Sequence, residues 1–277
     1  MLSTVAIIGR PNVGKSTLFN KLTKSRSAIV SNFSGLTKDR NYGLLSRGES
    51  NIFLIDTGGI DSAKKEGIEN KISDQAWIAV DESSLVLFVV DGSEELTNLD
   101  LEILEKEVAS RIKDLQKSLV IDVDNDHNTQ ETAERVSKMY LNEVFKGRYY
   151  EQPKVTSFPN DKNLDEIYTV GPITVRSACS HHLVPILGEC WIGIKPGNKV
   201  IGLSKFARVA DWVFSRPHIQ EEAVMILADE IEKLCEPKGL GIIVKAQHYC
   251  MKWRGVKEPN TSMINSVVRG YFRHDIS

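Results

Sequence analysis

Three side chains, Cys179, His182 and Cys250, constrain the fold of this chain more than any other feature of it. Thiolate and neutral imidazole are ligands that zinc takes readily, and three of them leave a fourth tetrahedral place for water, whose pKa a catalytic zinc brings to about 7. Cys179 and His182 stand three apart, close enough to grip one ion from a single loop. Cys250 lies on a distant segment and joins them only if the fold lays a strand alongside. His181 and His248 are then spare, each beside a ligand, and suited to proton transfer near neutral pH. On these residues alone a plainer reading stands equally, because cysteines are common core residues and histidines are commonly satisfied polar groups.

The surrounding sequence carries further motifs in a fixed order: TAERVSKMY from Thr132, SACSHHLVP from Ser177, VIGLSKFARV from Val200, SRPHIQEE from Ser215, HYCMKWRGV from His248 and NTSMINSVVRGYFR from Asn260. From about residue 118 onward the chain resembles the GTP cyclohydrolase I family through all six. The resemblance implies one Zn²⁺ per subunit on Cys179, His182 and Cys250, and His181 and His248 as catalytic histidines, with Ser204 assisting. It places Glu221 against guanine, with Gln220 beside it, and Lys205, Arg208 and Arg254 toward the triphosphate. The chemistry agrees: a carboxylate matches the adjacent N–H donors of guanine, and three phosphates need cations. The family opens the imidazole ring of GTP, releases formate and yields 7,8-dihydroneopterin triphosphate, the first step of tetrahydrofolate and pterin biosynthesis. The implied fold is the α+β tunnelling fold, an antiparallel sheet with helices on one side, assembled as a homodecamer with active sites at subunit interfaces.

The front of the chain is a separate matter. An apolar run ending at Ile8 leads into Gly9-Arg10-Pro11-Asn12-Val13-Gly14-Lys15-Ser16-Thr17 and then a helix-like stretch. This is G-x-x-x-x-G-K-S in its strand-to-helix setting: Gly9, Asn12 and Gly14 shape the loop around phosphates, Lys15 reaches β/γ oxygens, and Ser16 holds Mg²⁺ with the nucleotide. A second apolar run ends in Asp56-Thr57-Gly58-Gly59, and Thr37 lies where a switch threonine belongs. GRPNVGKST, DTGGI and SLVLFVVDG together resemble the first G domain of the Der (EngA) family of GTPases, over about residues 1–106. The guanine-reading N-K-x-D is missing, and Leu119 to Asp124 offers only an apolar-acidic echo of the strand that carries it. The expectation is an incomplete α/β P-loop fragment with an uncovered edge, marginally stable and without guanine preference.

Between the two, residues 96–117 place Leu101, Leu104, Val108, Ile112 and Leu115 on one helical stripe. The sequence divides as 1–106 (truncated G domain), 107–127 (junction) and 128–277 (cyclohydrolase domain). Asn128 with Glu131 has capping-box spacing for a helix through Phe145. Strands are expected at 168–176, 188–194, 241–250 and 262–272, with helices at 204–214 and 218–235.

A formal charge of −2 speaks against a generally basic nucleic-acid surface. Four cysteines, two of them in the candidate metal set, read as a reducing compartment. No apolar run approaches a membrane span and no leader pattern opens the chain, so a cytoplasmic protein is expected. The chain stops short of the family's usual terminal helix, and its N-terminal helical region is short, features that would weaken ring assembly. Three rivals stand beside the cyclohydrolase: a Der-like GTPase switch, an inactive fusion product, and the nitrile reductase of the tunnelling fold. The last uses a cysteine nucleophile and NADPH and has no use for a Cys, His, Cys metal set.

Overall fold

The computed structural model describes residues 3–23, 41–47, 50–57 and 74–274. The chain divides into two compact units, Met1–Glu134 and Arg135–Ser277.

In the first unit β1 (Ser3–Ile8) runs parallel to β3 (Ser50–Asp56) and β4 (Leu85–Phe88), with β2 (Asn41–Arg47) antiparallel on β3, in the order β2-β3-β1-β4. Ala6, Ile7 and Ile8 are all fully or nearly fully buried, the continuous apolar run of a strand covered on both faces. Helix α1 (Lys15–Thr23) covers one face, its Phe19 packing with Val5, Ile7 and Leu54. The other face holds α2 (Asp74–Asp81) and α3 (Asn98–Ser118), whose Val80 and Ile103 pack with Ala6 and Ile8.

Thr97 and Asp100 close a reciprocal capping box at the start of α3. The expected stripe on this helix is displaced: Ile103 and Ala109 are buried while Leu115 is exposed, because Leu99 and Ile103 are the residues that dock on the sheet. Leu119 to Asp124 forms no strand; Leu119 and Val120 are exposed, and Val120 adopts a φ of 59°. Nor does a helix begin after Asn128. Its backbone N–H and side-chain amide both donate to the Asp126 carboxylate at 2.9 Å, and helix α4 starts only at Thr132 (Thr132–Met139). Asx-type turns at Asp122 and Asp126 take the backbone donors that a helix would use. A π-helical turn, Tyr140–Val144, and the short α5 (Lys146–Tyr149) follow.

The second unit is built on a five-stranded sheet, β11-β10-β7-β6-β9: β6 (Tyr168–Cys179), β7 (Pro185–Lys195), β9 (Pro217–His218), β10 (Gly239–His248) and β11 (Met263–Gly270). All pairings are antiparallel except β6 with β9, a parallel edge the sequence did not announce. Alternation decides the faces. Cys190, Ile192 and Ile194 of β7 and Leu240, Ile242 and Val244 of β10 are buried under α6 (Leu203–Phe214) and α7 (Gln220–Cys235), against Phe206, Val213, Leu227 and Ile231. Each fully buried aliphatic side chain of this kind contributes about 1.5–3 kcal/mol. Leu187, Ile243, Ile264 and Val268 are exposed. A two-stranded pair, β5 (Ser157–Pro159) with β8 (Lys199–Ile201), completes the unit. No helix among the described residues is long and apolar enough to cross a membrane.

Candidate metal centre

The register of the sheet assembles the site. β6 ends on Cys179 and turns into β7 through residues 180–184; the Cys179 N–H donates to Val184 O at 2.9 Å and the Leu183 N–H to Cys179 O at 2.8 Å, with Leu183 at a φ of 53°. That left-handed residue tightens the turn and projects His181 and His182 from its tip. β10 lies on the far side of β7, and its last residue, His248, is opposite Ile186, next to the β7 start that pairs Pro185 with Ala178. Cys250 follows at once on the short α8 (Tyr249–Lys252). The two distant segments therefore finish at the same end of the sheet.

The ligand atoms of Cys179, His182 and Cys250 all lie within 4.8 Å of one another. Among the described residues this is the one group of three or more His, Cys, Asp or Glu that could hold a metal ion. Cys179 is buried, Cys250 half-buried and His182 exposed, giving one open side. Burial and the adjacent Cys179 thiol push the Cys250 thiol up, while Arg254 pulls it down. Burial also pushes the other two thiols up, Cys190 to about 12 and Cys235 to about 11, the condition of inert core residues. A soft, thiolate-rich set with one imidazole is the donor chemistry of zinc.

The proposed helpers divide into two groups. His181 Nδ1 lies 3.6 Å from Cys179 Sγ, and Arg254 Nη1 donates to His182 Nε2 at 2.8 Å. His248 Nε2 lies 2.8 Å from Gln220 Oε1; burial lowers the His248 pKa, and the nearby Glu221 carboxylate opposes that shift. Ser204, Lys205 and Arg208 occupy the first two turns of α6. Lys205 Nζ donates to Lys154 O at 3.2 Å, and none of the three bonds to the Cys, His, Cys group among the described residues. Two participants were not singled out in the sequence. Asn265 accepts from Gln220 at 2.6 Å, and the His218 carbonyl takes the Ser180 N–H at 3.1 Å, holding the ligand turn from behind. Their only sequence signal is the inward phase of β11 and a polar residue just ahead of α7.

In the first unit the loop between β1 and α1 folds on itself. Lys15 Nζ donates to Gly9 O at 2.8 Å and Arg10 O at 2.9 Å. Gly9 has a φ of 154°, and a Cβ there would stand 2.2 Å from Val89 O, so only glycine fits. Gly14 and Asn12 also have positive φ, at 94° and 67°. Ser16 and Thr17 are exposed at the helix start. At the end of β3, Asp56 is buried and Thr57 Oγ1 donates to Ile7 O at 2.6 Å. Thr37 and Gly59 lie outside the described residues.

Two families match different parts of the chain. Residues 108–277 match the family described as GTP cyclohydrolase I, and residues 4–135 match the family described as 50S ribosome-binding GTPase, the two overlapping at 108–135. GTP cyclohydrolase 1 of Brevibacillus brevis is 40% identical over 146 residues, 52% of this chain and 78% of that protein. GTP cyclohydrolase 1 of an Enterobacter species is 32% identical over 179 residues, 64% of this chain and 80% of that protein. GTPase Der of Vibrio cholerae serotype O1 is 46% identical over 121 residues, 44% of this chain and only 23% of that protein.

Proposed function

The chain belongs to the GTP cyclohydrolase I family, and we propose that it converts GTP to 7,8-dihydroneopterin triphosphate and formate in a zinc-dependent hydrolysis and ring rearrangement. The observation that carries the proposal is the convergence of the Cys179, His182 and Cys250 ligand atoms within 4.8 Å. Cys179, His182 and Cys250 would hold one zinc ion, whose bonds to such donors are about 2.0–2.3 Å. When bound, zinc supplies a water of lowered pKa and an open coordination place.

The chain's own residues do the rest. Glu221 accepts the paired N–H donors of guanine and thereby fixes the base with its imidazole ring toward the cysteines. Lys205, Arg208 and Arg254 hold the triphosphate. His248 gives a proton to guanine N7 during ring opening. His181 and Ser204 assist the later sugar rearrangement and ring closure. The five-stranded sheet with two helices on one face is taken as the tunnelling fold, and its exposed Leu187, Ile243, Ile264 and Val268 support assembly of a homo-oligomeric ring. The domain ranges 1–106, 107–127 and 128–277 belong to this reading.

Metal analysis together with a fluorescence assay for GTP-to-neopterin conversion on the full chain tests it. Cys250→Ala is expected to lose both zinc and product; a fully active Cys250→Ala protein ends the proposal.

One observation favours a second role for the front unit. The Lys15-bridged loop between β1 and α1 supports phosphate binding, in which Ser16 and Asp56 would hold Mg²⁺. It binds nucleotide through phosphate alone. The Der relatives are spanned over 23% of their length, and a full GTPase cycle is not part of this reading.

A further inference from the structure

Gln220 opens α7 and is 3% exposed, its side chain directed beneath the sheet. Its Nε2 stands 2.6 Å from Asn265 Oδ1, 3.2 Å from Val244 O and 3.4 Å from Met263 O. Two of these partners are backbone carbonyls, which only accept, so the amide is fixed with its NH₂ end toward them. The flipped amide would set its oxygen against the three oxygens of Asn265, Val244 and Met263 and forfeit the bonds to them, a loss of about 1–3 kcal/mol. Oε1 then faces His248 Nε2 at 2.8 Å. An amide oxygen only accepts, hence the proton of that bond is on His248 Nε2.

We propose that Asn265 and Gln220 are positioning residues, a two-amide relay that fixes the His248 ring and holds it as the Nε2–H tautomer. The inference rests on the reading above in taking His248 as the proton-transfer residue. The sheet makes the relay possible. Asn265 pairs with Val244 in the β10/β11 register, and His248 follows Val244 at an even spacing, so both side chains point to the face covered by α7. The relay also reassigns Gln220. Both of its N–H groups are committed inside the protein, so it has no donor left for a guanine oxygen, and base reading falls to Glu221.

The decisive measurement is ¹⁵N–¹H NMR of the histidine rings in the full chain, with and without zinc, which reads the tautomer whether or not product forms. The expected spectrum has His248 protonated on Nε2, with a slowly exchanging Nε2–H and a bare Nδ1. In Gln220→Leu that Nε2–H is expected to exchange rapidly and disappear. A wild-type spectrum with the proton on Nδ1, or an unaltered Nε2–H in Gln220→Leu, overturns the relay. Kinetics supply the second arm. Asn265→Leu is expected to lower kcat roughly three- to tenfold, the worth of one neutral hydrogen bond, with KM for GTP unchanged. Asn265→Asp, which keeps an acceptor for Gln220, is expected to restore kcat. A rise in KM with kcat intact would make Gln220 and Asn265 substrate readers instead. Absence of cyclohydrolase activity in the wild-type chain would sink the functional reading while leaving the tautomer result to stand or fall by itself.

Discussion

Arg254 Nη1 donates to His182 Nε2 at 2.8 Å, so the cation proposed to face the triphosphate already touches an imidazole of the candidate metal centre. A guanidinium carries no acceptor, which makes the His182 nitrogen the lone-pair partner. On the proposed function, Arg254 stands where substrate charge and metal site meet. Arg254→Ala is expected to raise KM for GTP roughly tenfold or more, the worth of a charge-assisted hydrogen bond. Zinc affinity should hold or tighten, because a positive charge beside the cation is gone. Chelator-competition titration and steady-state kinetics check the pair of outcomes; weakened zinc binding would show that the arginine supports the metal site.

The four thiols should separate chemically. Cys190, pushed up to about 12, and Cys235, pushed up to about 11, are buried and should resist alkylation in the folded chain. Cys179→Ala and Cys250→Ala should abolish zinc binding. Cys190→Ala should keep one zinc per chain and cost about 1–3 kcal/mol of stability through the cavity it leaves. Metal content and denaturant midpoints of the three variants provide the measurement.

Stability should fall with acid in a window set by buried histidines. Burial lowers the pKa of both His218 and His248 in the folded chain. Below the unfolded value of about 6.5 the unfolded state binds more protons, so unfolding free energy declines as pH drops from there toward the folded pKa values. His218→Gln should flatten part of that slope between pH 7 and 5. A denaturation series in which both proteins share one slope contradicts the assignment.

Gly147 is held between backbone groups: its N–H donates to Ser215 O at 2.9 Å, its carbonyl accepts from Arg216 Nε at 2.8 Å, and a Cβ would stand 1.9 Å from Trp212 O. Gly147→Ala forces α5 away from α6 and should destabilise the second unit by about 1–3 kcal/mol. The denaturation midpoint of the variant reads this directly.

The front unit should bind nucleotide without reading the base. Leu119 to Asp124 forms no strand and carries no N-K-x-D, so fluorescent GDP and ADP analogues should bind with equal affinity, both lost in Lys15→Ala. Cyclohydrolase turnover of Lys15→Ala should match the parent chain. A strong GDP preference would require a guanine contact from elsewhere.

What the sequence by itself determined is the candidate chemistry and its local carriers. The motifs around Cys179, His182 and Cys250 named a candidate ligand set, the alternating runs announced β6, β7, β10 and β11, and the glycines of the loop before Lys15 set its turns, because period and backbone freedom are local properties. Where local signals competed, the sequence misled. Asn128 read as a helix cap, but Asp126 takes its donors, and the α3 stripe shifted because docking on the sheet, not helical spacing, selects the buried face. Only the tertiary structure decided that β10 lies beside β7, which carries Cys250 to Cys179 and His182, and that Gln220 turns inward to His248 and Asn265. Those are relations between segments far apart in the chain, fixed by strand register and by the demand that every buried polar group find a partner.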